Sequence, residues 1–232
     1  MLELHEATGS GKAVWVGHDW GSPVVWNMAL HHPEVVHGVA SLCVPMGFEE
    51  GVEAFIPHVN RDIYPEAEYP KGQWDYQYFY QESFEVAQSE MEVDPYRLVK
   101  ALFRKGGPEG VGKPSGTAVT RKNGGWFGQD GPPDLPIDLD VISSEDAKTF
   151  ATALSRNGFF GANSWHMNHD KNYAYTQELS GDKKLEMPVL FFHGEYDSVC
   201  QTVNSTLAEP MRENCPDLVE IYVKSGHWMA QE

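Results

Sequence analysis

The pentapeptide Gly17-His18-Asp19-Trp20-Gly21, set between an apolar run and a helical one, constrains this chain more than any other segment. Lys12-Ala-Val-Trp-Val-Gly17 reads as a short buried strand entering the turn. Pro23 to His32 continues with helical character, and Pro23 suits a first-turn position. Val35 to Val44 is a second β-branched run, closed by Pro45. Strand, helix, strand in that order predicts a parallel α/β sheet. The pentapeptide fits Gly-x-nucleophile-x-Gly, a sharp turn that lifts its central residue clear of the sheet. Flanking glycines are expected because the turn strains that residue and leaves little room nearby.

An aspartate at the tip sets the chemistry. A carboxylate is ionised at neutral pH and attacks a saturated carbon without help from a base. The product is an alkyl ester of the enzyme, and its hydrolysis needs an activated water, usually the work of a histidine. The backbone N–H of Trp20 is the candidate oxyanion donor. From the pentapeptide alone, a turn or N-cap role for Asp19 competes with the nucleophilic one. The far end of the chain weighs against that. His193-Gly-Glu-Tyr-Asp197 follows the strand-like run Pro188 to His193, and Ser225-Gly-His227-Trp228 follows the strand-like run Leu218 to Val223. Nucleophile, acid, histidine is a chain order known for such turns. Open parallel sheets also place their sites past the C-terminal ends of strands. His227 is therefore the candidate base and Asp197 its orienting acid, with Glu195 the nearest rival to Asp197.

Between Gly47 and Leu179 no run has comparable strand character. Aromatic-rich helices are expected over Asp75 to Met91 and Pro95 to Phe103. Ser143 with Asp146 reads as a capping box opening a further helix that Gly158 closes. Gly106 to Pro136, dense in Gly and Pro, reads as a long irregular loop. A helix over Ser205 to Asn214 separates the last two strands, and no internal repeat is visible. The expected organisation is a core over 1–46, a mostly helical lid over 47–180, and the rest of the core over 181–232.

Composition excludes several classes. Asp and Glu number 34 against 17 Lys and Arg, a net charge of −17 that repels phosphate backbones, so no nucleic-acid partner is expected. Most of these carboxylates read as a solvated surface. No apolar run approaches the ~20 residues of a membrane span, and the first residues lack an apolar signal core. Cys43, Cys200 and Cys215 form neither a disulfide framework nor a zinc knuckle, which favours a reducing, cytoplasmic compartment. Asn204-Ser-Thr is read as a chance glycosylation match. Thr8 to Lys12 is not a phosphate loop, because Ala13 stands where Ser or Thr is required and a strand follows. His166-x-x-His169 lacks helical zinc spacing and a third ligand, so no metal is expected. His31 and His32 read as a surface helix end whose cations complement the dipole.

Gly17-His-Asp-Trp-Gly21, Pro23 to Pro33, Trp74-Asp-Tyr-Gln77 and Ser225-Gly-His-Trp228 together resemble the soluble epoxide hydrolases, with a fungal character in the flanking residues. The resemblance runs over nearly the whole chain. It implies an α/β-hydrolase fold, a mostly parallel sheet with a helical lid insertion, and a small hydrophobic epoxide as substrate, with no cofactor. It implies that Asp19 opens the epoxide, that Asp197 and His227 drive hydrolysis to a vicinal diol, and that Tyr76 is a lid donor to the ring oxygen. Without the resemblance, Tyr76 would read as an ordinary aromatic beside Tyr78 and Tyr80. His166 stands where the family's second lid tyrosine is expected, and it too can donate a hydrogen bond; Tyr173 and Tyr175 fit the spacing less well. A haloalkane dehalogenase would share Asp19, Trp20 and the histidine, and an inactive hydrolase-fold binding protein is the other alternative. Oligomeric state, a homodimer included, is open. The family's opening strands, its His-Gly-x-Pro loop and its closing helix have no counterpart here. The chain is therefore expected to be truncated at both ends, with the N-terminal half of the sheet missing and Ala13 to Val16 left as an apolar edge. The chain alone is therefore expected to be poorly soluble and nearly inactive.

Overall fold

The β-branched runs become strands in the computed structural model, which describes residues 1–9, 11–179 and 181–232. They are β1 (Ala13–His18), β2 (Val36–Leu42), β3 (Val189–Gly194) and β4 (Leu218–Val223). Every pairing is parallel and the order is β1-β2-β3-β4, as the α/β reading requires. The short helix α1 (Leu2–Ala7) precedes β1, and α2 (Gly21–His31) joins β1 to β2. The Thr8–Lys12 turn and the expected boundary at residue 180 each include a position, Ser10 and Ser180, outside the described residues.

The chain forms two compact units. The first comprises Met1–Asn60 and His169–Lys224, the second Arg61–Asn168 and Ser225–Glu232. In the first, α2 buries Val25, Trp26, Met28 and Ala29 with Val39 of β2, Val189 and Phe191 of β3, and Met211 of α9 (Glu209–Asn214). Burying such side chains supplies most of the favourable free energy of folding. The indole N–H of Trp26 donates to the Val44 carbonyl at 3.1 Å, so its one polar group is satisfied. The helix expected over Ser205 to Asn214 is shorter than that. Ser205 to Ala208 form turns, in which the Ser205 hydroxyl donates to the Gln201 carbonyl and accepts from Leu207 N–H. A serine that bonds its local backbone in this way competes with helix, and Pro210 then takes the first turn of α9. β1 is one of the two outer strands of the described sheet, with Val14 59% and Val16 65% exposed.

The second unit contains no strand among the described residues. The helix expected over Asp75 to Met91 is two, α3 (Asp75–Glu82) and α4 (Phe84–Glu92), because Ser83 leaves helical geometry at φ −143° and ψ 44°. α5 (Pro95–Leu102) starts from Asp94, whose Oδ1 accepts from Tyr96 N at 3.1 Å and Arg97 N at 3.0 Å. α6 (Ser144–Asn157) opens as expected: Ser143 Oγ accepts from Asp146 N at 3.0 Å and donates to its carboxylate at 2.7 Å, and Gly158 ends the helix at φ +70°. Val99, Ile142, Ala147 and Ala151 pack α5 against α6. A short α7 (Phe160–Asn163) follows. Gly106 to Pro136 is irregular apart from two 3-10 turns. Glu90 of α4 pins that loop by accepting from Trp126 N at 2.8 Å and Gly128 N at 2.9 Å. Among the described residues no helix is long and apolar enough to cross a membrane.

Candidate active site

At the end of β1 the backbone of Asp19 takes φ +49°, a left-handed conformation that costs energy for a residue with a side chain. Gly17 makes this bend sterically feasible, because a Cβ there would lie 2.5 Å from the Gly21 carbonyl oxygen. The second glycine differs from expectation. A Cβ on Gly21 would meet nothing within 4 Å, so room is short at one glycine and not at the other. The Asp19 carbonyl accepts from Ser22 N at 2.9 Å as α2 begins. Trp20, not Asp19, stands at the N-cap of α2, and its side chain makes no capping hydrogen bond. Asp19 stands one residue before it, at the tip of the turn. The turn instead holds a carboxylate at a helix N-terminus, where the dipole favours negative charge.

Around the turn, the Trp20 ring meets Phe48 edge-on, with centroids 5.9 Å apart, and lies 5.7 Å from the imidazole of His169. Phe48 belongs to a 3-10 turn, Phe48–Glu50, and Glu49 in that turn is fully buried. Glu49 Oε2 accepts from Gly47 N at 2.9 Å, while Oε1 has no hydrogen-bond partner among the described residues. Burial pushes this carboxyl up to about 7, the Gly47 N–H offsetting part of that. Most carboxylates of this chain read from sequence as solvated surface, and no local signal marks Glu49 as an exception.

Asp197 lies on the turn after β3, 5% exposed, its Oδ1 accepting from Val199 N at 2.8 Å and Cys200 N at 3.2 Å. The sheet is parallel throughout, so Asp19 after β1 and Asp197 after β3 stand at the same, C-terminal, edge. Glu195, the rival acid, donates its backbone N–H to the Val223 carbonyl at 2.9 Å and so continues the β3–β4 ladder. Tyr175 of α8 (His169–Thr176) stacks on His31 with centroids 3.9 Å apart. Burial and the neighbouring His32 hold His31 below the usual imidazole range, which opposes the cationic helix end expected here.

Tyr76, His166 and His227 belong to the second unit. Tyr76 and His166 come together through Gln77, which the sequence marks only as the end of the Trp74–Gln77 motif. Gln77 Nε2 donates to Tyr76 Oη at 2.6 Å, and His166 Nδ1 lies 2.8 Å from Gln77 Oε1. Tyr80 stacks flat on the His166 ring, with centroids 4.0 Å apart and planes 4° from parallel. His227 is held on both sides. Gly226 N donates to Glu232 Oε2 at 2.8 Å, and Trp228 donates its indole N–H to the Leu102 carbonyl at 2.7 Å while stacking on Phe103 at 4.2 Å.

The family model for the alpha/beta hydrolase fold matches residues 1–231. The chain belongs to the α/β hydrolase family. It is 32% identical over 230 residues to bifunctional epoxide hydrolase 2 of Sus scrofa, covering 98% of this chain and 38% of that protein. It is 29% identical over 241 residues to epoxide hydrolase A of Mycobacterium tuberculosis, covering 100% of this chain and 68% of that one. Among solved structures, epoxide hydrolase A from Mycobacterium thermoresistibile matches with a TM-score of 0.69 and 25% identity, over 99% of this chain and 68% of the other. This α/β hydrolase therefore spans well under half the length of the pig relative and about two thirds of the mycobacterial ones.

Proposed function

We propose that this α/β hydrolase opens an epoxide with Asp19 and releases a vicinal diol through an aspartyl ester. The observation that carries the reading is an aspartate, where many hydrolases hold serine, at the strained tip of the strand-to-helix turn. The relatives named epoxide hydrolases, similar over the whole chain, support an epoxide over a haloalkane as its target. In the first step an Asp19 oxygen bonds to a ring carbon and the ring C–O bond breaks, its electron pair going to oxygen. Tyr76 and His166 hydrogen-bond that oxygen as charge develops. In the second step His227 takes a proton from water, Asp197 stabilises the imidazolium, and hydroxide attacks the ester carbonyl of Asp19. The Trp20 N–H at the start of α2 is the donor to the resulting oxyanion.

On this reading the helical region around residues 47–180 is a cap, the substrate is small and hydrophobic, and no cofactor enters. Removal of reactive electrophiles in the cytoplasm is the matching role. The test is turnover of a styrene-type epoxide in heavy-oxygen water, followed by mass spectrometry of the peptide that contains Asp19. Ester hydrolysis at the Asp19 carbonyl places label in that carboxylate over several turnovers. Diol that carries label while Asp19 does not would sink the proposal.

A further inference from the structure

An amide stands between the two donors assigned to the ring oxygen. Gln77, 0% exposed, gives one N–H to the Tyr76 hydroxyl oxygen and presents Oε1 to His166 Nδ1. An amide oxygen only accepts, so the second contact needs a proton on Nδ1. Neutral imidazole carries one ring proton. With that proton at Nδ1, Nε2 is an acceptor, and it becomes a donor only when a second proton arrives. Tyr76 differs, because accepting from Gln77 leaves its own hydroxyl proton to give elsewhere. Turning the amide over would move the imidazole proton to Nε2 and tie up the Tyr76 hydroxyl, so the tautomer of His166 reports the amide's orientation.

We infer that Gln77 is a positioning residue that holds His166 as its Nδ1–H tautomer, so that Tyr76 and His166 donate to the ring oxygen together only when His166 is an imidazolium. The inference rests on the epoxide reading above. The groups of α3 that face the imidazole are two phenols, Tyr80 stacked at 4.0 Å and Tyr76 edge-on at 5.6 Å. The carboxylates of that helix are engaged elsewhere: Arg121 pairs with Asp75 at 2.7 Å and with Glu82 at 3.0 Å. Glu90 of α4 is occupied by the amides of Trp126 and Gly128, and α7 carries no ionisable side chain. A cation against the face of Tyr80 is favoured by the ring quadrupole. As the ring C–O bond breaks, the Nε2 proton passes to the oxygen, leaving a hydroxyalkyl ester and neutral His166. Ester hydrolysis consumes one water, returns the Asp19 carboxylate and releases one proton, and His166 is reprotonated from solvent.

Two measurements on the whole chain decide the matter. The first is the ring nitrogen NMR spectrum of the histidine-labelled protein above the His166 titration, with His166→Tyr providing the assignment. The expected neutral form is Nδ1–H, and a dominant Nε2–H form overturns the inference. The second is the rate of aspartyl-ester formation against pH under single-turnover conditions. Wild type should lose about a hundredfold as His166 gives up its second proton, the size expected for losing one donor to a developing oxyanion. In Gln77→Leu the ratio of low-pH to high-pH rate should fall towards one, whereas an equal loss at every pH would overturn a positioning role. If the leucine variant does not fold, the wild-type tautomer and profile still decide. Ester formed by wild type at a rate independent of pH overturns this inference and leaves the epoxide reading standing. Absence of ester overturns the epoxide reading itself.

Discussion

The carbonyl oxygen of Gly21 lies 2.5 Å from where a Cβ on Gly17 would stand. The neighbour is backbone at the start of α2, so it cannot yield as a flexible side chain would. Gly17→Ala should therefore cost about 1–3 kcal/mol of stability, the range for forcing an extra carbon into a packed site, and misplace Asp19. Gly21→Ala should fold normally, since a Cβ there meets open space and alanine is the better helix former. Urea unfolding of the two variants checks this, and equal midpoints would contradict it.

Glu49 gives a pH dependence of unusual sign. Its folded-state value of about 7 lies above its ordinary 4.5, so the folded chain holds a proton that the unfolded chain has released across that window. Stability therefore falls as pH rises from 4.5 to about 7, by roughly 3 kcal/mol at full extent. Glu49→Gln keeps the side chain's shape and removes the titration. Denaturant midpoints at pH 5 and pH 8 should show the variant gaining on wild type at the higher pH. A constant difference between the two proteins would refute the assignment.

The local parts of this architecture are readable from sequence, and the long-range ones are not. The turn at Asp19 and the Ser143–Asp146 cap are legible because each is decided by residues within a few positions, through backbone strain in one case and an unpaired N–H in the other. The break between α3 and α4 escapes because Glu82-Ser83-Phe84 contains neither Gly nor Pro. The start of α9 does carry a signal, Pro210, but the helical character of the residues from Ser205 onward masks it. Gln77 and Glu49 escape for another reason. The Gln77 partner His166 is 89 positions away, and Glu49 is enclosed by residues such as Thr176, which bonds its carbonyl from 127 positions away.

Exposed valines on an outer strand make association a third expectation. Val14 and Val16 lie on one face of β1, an outer strand of the described sheet. Unpaired strand edges with apolar side chains template pairing with further chains. Val14→Lys combined with Val16→Lys should leave the unfolding midpoint within about 0.5 kcal/mol of the parent, as for most surface changes, while lowering light scattering at high concentration. Unchanged scattering would locate the sticky surface elsewhere.

The end of β3 is tied to β4 by a network that should fail in acid. His193, its side chain fully buried, bonds Thr202 Oγ1 at 2.8 Å and Glu220 Oε1 at 2.9 Å. Arg212 grips the same carboxylate, with Nη2 at 2.7 Å and Nε at 3.0 Å. Hydrogen bonding from Arg212 holds Glu220 below its ordinary value, so its contribution is present above about pH 4.5 and lost as pH falls further. Burial holds His193 below the usual imidazole range even though Glu220 pulls the other way. The folded state thus resists a proton that the unfolded chain accepts, and stability drops as pH falls below 6.5. Both groups act in the same direction. Glu220→Gln should cost about 1.5–3 kcal/mol near neutrality, the range for hydrogen bonds to a charged group, and should flatten the acid side of the stability profile. Thermal unfolding between pH 4 and pH 8 measures both effects. A variant with the parent's acid slope would show that Glu220 is not what makes this edge of the sheet acid-sensitive.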